Sequence, residues 1–101
     1  MFILGREGCL INSDDVSVIE FRQRPTRSSV LVARMKDGGE YILNRCNGYS
    51  ERMRSEPKRK FKNNADLMNY KWAIGEYWLR IITEGLDANV EVCNLTGEDF
   101  P

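Results

Sequence analysis

The sequence contains no histidine. Histidine is the usual general base, triad member and zinc ligand, so Ser-His-Asp and Cys-His catalysis are excluded. Cysteine is scarce: Cys9, Cys46 and Cys93 are odd in number, widely spaced and too few for a thiolate quartet. That usage reads as reduced thiols in a cytosol. Neither GxxxxGK[ST] nor GxGxxG occurs, and the glycines stand singly or as Gly38-Gly39, so a glycine-rich phosphate cradle is absent. No apolar run approaches a bilayer span and no secretory pattern opens the sequence, which points to a cytoplasmic protein without a membrane partner. Asn94-Leu95-Thr96 is then a chance sequon. Net charge is zero, so no global field drives the chain onto nucleic acid or lipid. The adjacent acids Asp14-Asp15 follow Asn12-Ser13, which is turn chemistry rather than a catalytic carboxylate pair. The expectation is a protein that is not an enzyme and uses no metal or cofactor.

What is present suits one soluble domain spanning residues 1–101, with 42% apolar and 30% charged residues. Residues 1–50 divide into short β segments: Met1–Leu4, Cys9–Ile11, Val16–Phe21, Val30–Met35 and Glu40–Cys46. They are separated by turn signals at Gly5–Gly8, Asn12–Asp15, the Pro25 loop, Lys36–Gly39 and Asn47-Gly48. Residues 51–62 are a basic connection or a short irregular helix. Residues 63–85 form one long helix, helical over about 64–84. Asn63 caps it with Asp66 three residues on, Glu76 and Arg80 stand at i,i+4, and Gly85 is its left-handed stop followed by Leu86. Residues 86–101 are an acidic segment with β-type alternation at 89–95. Strands grouped first and one helix late predict an α+β fold, an antiparallel β-meander of about four to six strands packed on the helix.

Winding that helix places Leu67, Ile74, Trp78, Ile81 and Ile82 on a central stripe. Tyr70 and Tyr77 flank it on one side, with Met68, Trp72 and Leu79 on the other. This apolar surface exceeds the ~100° stripe that one core requires. Either a curled sheet clasps the helix, or the flank holding Trp72 or the tyrosines meets another chain, a symmetric homodimer included. Lys71 interrupts the apolar side and must snorkel or find a partner.

The neutral total hides a segmental dipole. Residues 1–20 carry net −3, residues 21–62 net +8, and residues 63–101 net −5. The basic connection contributes Arg52, Arg54, Lys58, Arg59, Lys60 and Lys62, with Phe61 between the last two. Glu91, Glu98 and Asp99 represent the acidic end. Such a basic stretch tracks a phosphate backbone, meets an acidic protein, or pairs internally. The candidate partner-binding residues are these nine together with Tyr70, Trp72 and Tyr77. Excluded catalysis, surplus helix surface and the dipole together suggest a non-enzymatic inhibitor or adaptor for a protein or ribonucleoprotein. The alternative is a small nucleic-acid-binding regulator using residues 52–62.

Phe2-Ile3-Leu4, Leu10-Ile11-Asn12 with Asp15-Val16 and Ile19, Val30–Ala33 before Asp37-Gly38, and Tyr41-Ile42-Leu43 with Tyr49-Ser50 form a cadence of turns and apolar positions. Over roughly residues 1–50 it resembles a class of small uncharacterised proteins of Gram-positive bacteria, their phages and mobile elements. Those proteins pair a β-meander with a C-terminal helix. Residues 51–62 and the acidic segment depart from that pattern. The setting includes anti-CRISPR inhibitors, so the resemblance implies an anti-defence role.

Overall fold

Strands end where the sequence carries turn chemistry. In the computed structural model, which describes residues 1–56 and 60–96, β1 (Phe2–Leu4) and β2 (Leu10–Asn12) pair antiparallel across the Gly5–Gly8 turn. The Asn12 side chain then accepts the Asp14 N–H at 3.0 Å and starts a single 3-10 turn over Ser13–Asp15. Beyond it, β3 (Val16–Arg22), β4 (Ser29–Met35) and β5 (Glu40–Cys46) run as an antiparallel meander. At the β4–β5 hairpin Gly38 has φ +95°, a conformation that strongly favours glycine. A short helix α1 (Tyr49–Ser55), the long helix α2 (Asn64–Asp87) and a strand β6 (Val92–Asn94) complete the order.

The class is the expected α+β, with six strands among the described residues and the long helix in the C-terminal half. Those strands form two sheets of three, β2-β1-β6 and β3-β4-β5, rather than one meander. The 3-10 turn separates them, and β6 returns to pair parallel with β1, placing Ile3 beside Cys93. One seam joins the sheets. A bulge in β5 leaves Leu43 as an extra residue, and its carbonyl accepts the Arg6 N–H at 2.9 Å. Gly5 packs so tightly there that a Cβ would lie 2.4 Å from the Leu43 oxygen. A second bulge, between Val16 and Val18, turns Val16 onto the same core as Ile19 and Phe21, which strict alternation would prevent.

Helix α2 begins as the sequence indicates: the Asn63 side chain accepts the Asp66 N–H at 2.9 Å. It ends two residues later than Gly85. Asn89, at φ 54°, is the left-handed residue; its N–H reaches the Leu86 carbonyl and the Val90 N–H reaches that of Gly85. That pair of bonds is a Schellman ending, in which Asn stands in for the usual Gly. Gly85 stays helical, with Met1, Val90 and Cys93 crowding where a side chain would be. The left-handed Asn89 also shortens the final strand to three residues. Among the described residues Glu76 and Arg80 are not bridged to each other.

The buried stripe of α2 is Leu67, Lys71, Ile74, Gly75, Trp78 and Ile82; Ile81 is only half-buried. It packs with Leu31, Ala33 and Leu43 of the large sheet and Ile3, Ile11 and Cys93 of the small one. Gly75 belongs to the stripe because Phe21 lies directly on it: a Cβ there would sit 2.4 Å from the ring. Gly75→Ala is therefore expected to cost roughly 1–3 kcal/mol through overpacking, despite the better helix propensity of alanine. Urea unfolding measures the loss, and shortening the neighbour with Phe21→Leu should shrink it. Equal stability of Gly75→Ala and the wild type would refute the close approach.

Candidate functional site

The basic connection is more ordered than the sequence suggests. Gly48, at φ 85°, turns the chain out of β5; its N–H donates to the Glu51 carboxylate at 2.9 Å, and the Asn47 side chain accepts the Ser50 N–H. These bonds start α1 and bury Arg52. Its guanidinium carbon lies 3.8 Å from the Phe61 ring centroid and 4.6 Å from that of Tyr70. The same group donates to the Lys60 carbonyl at 3.4 Å and to Asp66 at 3.3 Å. Phe61 also meets Tyr49 edge-on at 5.1 Å, and the Tyr70 hydroxyl meets that of Ser55 at 3.2 Å. Cation–π stacking and a charge-assisted bond thus clamp α1 to the start of α2.

Outside this clamp lies an apolar groove of about 370 Å³ formed by Tyr49, Met53, Phe61, Lys60 and Arg52. Tyr49 is 57% and Met53 56% exposed, one turn apart on the same face of α1. Lys60 is an exposed cation of its wall, and Arg54 and Lys62 are exposed close by in the sequence.

The sequence-derived candidates divide accordingly. Arg52 and Tyr70 are drawn into internal packing, and Arg52 is only 8% exposed, so it is a strut rather than a free contact. Tyr77 is half-buried against the core. Trp72 is 51% exposed on the opposite side of α2, edge-on to Phe21 at 6.5 Å. Glu91 is exposed beside β6, with its carbonyl bonded to the Phe2 N–H. Lys58, Arg59, Glu98 and Asp99 lie outside the described residues. Sequence reading passed over Tyr49 and Met53, although their i,i+4 spacing in a polar segment was a usable signal.

Charge is redistributed as well. Arg22 bridges Glu20 and Glu40, each at 2.7 Å, and Arg34 bridges Glu40 at 3.4 Å, while Arg45 pairs with Glu7. Arg22 holds the Glu40 carboxyl below the ordinary carboxylate range. Three cations of the basic block are thus matched within or beside the large sheet. The three cysteines are free thiols. Burial, reinforced by Glu51, pushes Cys46 up to about 12, so it is not a thiolate at neutral pH. Among the described residues no three His, Cys, Asp or Glu side chains gather as a metal site, and no helix is long and apolar enough to cross a membrane.

Asp66 keeps the clamp electrostatically closed. The Lys62 N–H, assisted by Arg52, holds its carboxyl below the usual range. A depressed carboxyl contributes stability above its unfolded value and loses it as pH falls through the folded one. Wild type should therefore exceed Asp66→Asn in urea midpoint at neutral pH, with the gap closing below about pH 4. A gap independent of pH would contradict this role. Comparison of the chain with protein-family models, curated proteins and solved structures yields no match.

Proposed function

We propose that the protein is a non-enzymatic inhibitor or adaptor whose α1–α2 corner docks an acidic segment of a partner protein or ribonucleoprotein. The supporting observation is the pairing of an exposed apolar floor, Tyr49 and Met53, with a cationic rim at Lys60, continued along the chain by the exposed Lys62. An apolar anchor fills such a groove while neighbouring carboxylates meet the rim, which favours encounter and fixes register. The resemblance of residues 1–50 alone supports an anti-CRISPR-like target.

The nucleic-acid reading draws on the same cations. It is weakened because Phe61, the aromatic between Lys60 and Lys62, has its ring engaged by Arg52, Tyr49 and Tyr70 rather than free for base stacking. The homodimer now rests on Trp72, since Tyr70 and Tyr77 are occupied internally. Light scattering at tens of micromolar should show a dimer mass that Trp72→Ala converts to monomer; a monomeric wild type removes the proposal.

Selection from a random peptide library is expected to enrich acidic sequences with one aromatic or aliphatic anchor. The double change Tyr49→Ala, Met53→Ala should then weaken the selected peptide by about 2 kcal/mol or more, with the fold intact by circular dichroism. Submicromolar binding to generic single-stranded RNA at physiological salt would favour the alternative instead. In that case Lys60→Ala and Lys62→Ala should each flatten the logarithmic salt slope by roughly 0.7.

A further inference from the structure

On the other side of Tyr49, the loop between β3 and β4 and the first turns of α2 border a solvent-open polar cavity of about 480 Å³. Its wall carries two cations, Arg27 and Lys71, and no acidic residue. Lys71 is 2% exposed. Its ammonium donates to the Arg24 and Arg27 carbonyls, each at 3.0 Å, which staples the loop to the helix. Carbonyls satisfy donors without cancelling charge, and an ammonium has a third donor to place. A buried cation without a counter-charge is costly. Lys71 forms no direct ion pair among the described residues; the buried Glu51 carboxylate is bonded to the Gly48 N–H and, like Lys71, acts on the Cys46 thiol, without contacting the ammonium.

Other polar groups of the wall are unclaimed. The exposed Arg27 guanidinium and the hydroxyls of Thr26, Ser28 and Tyr49 make no hydrogen bond within the described residues. We propose that this cavity binds a phosphomonoester. A dianion matches the two cations, Arg27 supplies the forked donor geometry that phosphate oxygens favour, and the hydroxyls donate to the remaining oxygens. The cavity falls within the roughly 300–1,000 Å³ of small-molecule sites, larger than inorganic phosphate needs, so the esterified portion lies inside as well. The site is separate from the proposed peptide groove, with Tyr49 as the shared wall, and does not depend on that reading.

The test uses the whole protein in heteronuclear NMR. It is titrated with inorganic phosphate and with a nucleoside monophosphate, against sodium chloride of matched ionic strength. Saturable shifts are expected at residues 25–28, 47–49 and 64–71, with the monophosphate binding more tightly than phosphate. Arg27→Ala, on an exposed loop whose carbonyl still accepts from Lys71, should keep the wild-type spectrum and weaken binding by roughly tenfold or more, the effect of losing a charge-assisted hydrogen bond. Shifts that do not saturate, that centre on residues 52–62, or that survive Arg27→Ala unchanged would overturn the proposal. So would equal binding of a single-stranded oligonucleotide carrying only diester phosphates, which would make the cavity a backbone contact.

Discussion

Everything in this molecule is arranged along one helix. At 24 residues α2 is about 36 Å long by the standard rise, against a longest molecular dimension of 41 Å. Two three-stranded sheets, each too small to hold a core alone, share that single apolar stripe. Ile74 and Trp78 are fully buried in the cluster to which both sheets contribute, and burial of their side chains is worth roughly 1.5–3 kcal/mol for each large apolar group. The Gly75–Phe21 approach and the Gly5–Leu43 seam serve the same constraint, since both remove side-chain volume that would hold the layers apart.

The charges follow from this arrangement. Once the large sheet forms, its cross-strand register puts Arg22, Glu20, Glu40 and Arg34 on one face, where they neutralise one another. Val30 and Val32 lie buried on that same side, apart from the main core, consistent with cover from the aliphatic stems of such residues. Exposed pairs of this kind add little stability. Their larger effect is to match Arg22 and Arg34 on the sheet surface, so that these two cations of the basic block are held within the large sheet.

Local rules were readable wherever one residue type has one cheap conformation. Asn63 before Asp66, Asn12 before Ser13–Asp15, and Gly38 in its hairpin all do what their chemistry dictates. The end of α2 was misread because Gly85 is the obvious stop, while the close approach of Met1 and Val90 requires a glycine at that place for another reason. Division into two sheets was not legible, because it depends on β6 returning to β1 across most of the chain. The candidate surface suffered similarly. Arg52 looks like any other cation of a basic run until Phe61 and Tyr70 close over it, and Lys71 looks like an interruption until the Arg24 and Arg27 carbonyls meet it.

The parallel pairing of Phe2 with Val92 and Leu4 with Asn94 also sets an order of events. During synthesis β1 and β2 emerge first, yet the third strand of their sheet appears only after α2 has been made. Until then the β1 edge of the hairpin stays unpaired and its apolar face incomplete, whereas β3, β4 and β5 find their neighbours in immediate succession. Such a long loop closure is entropically slow, so the large sheet and α2 should assemble before the small sheet closes. Strands made before the large sheet are then locked in place after it.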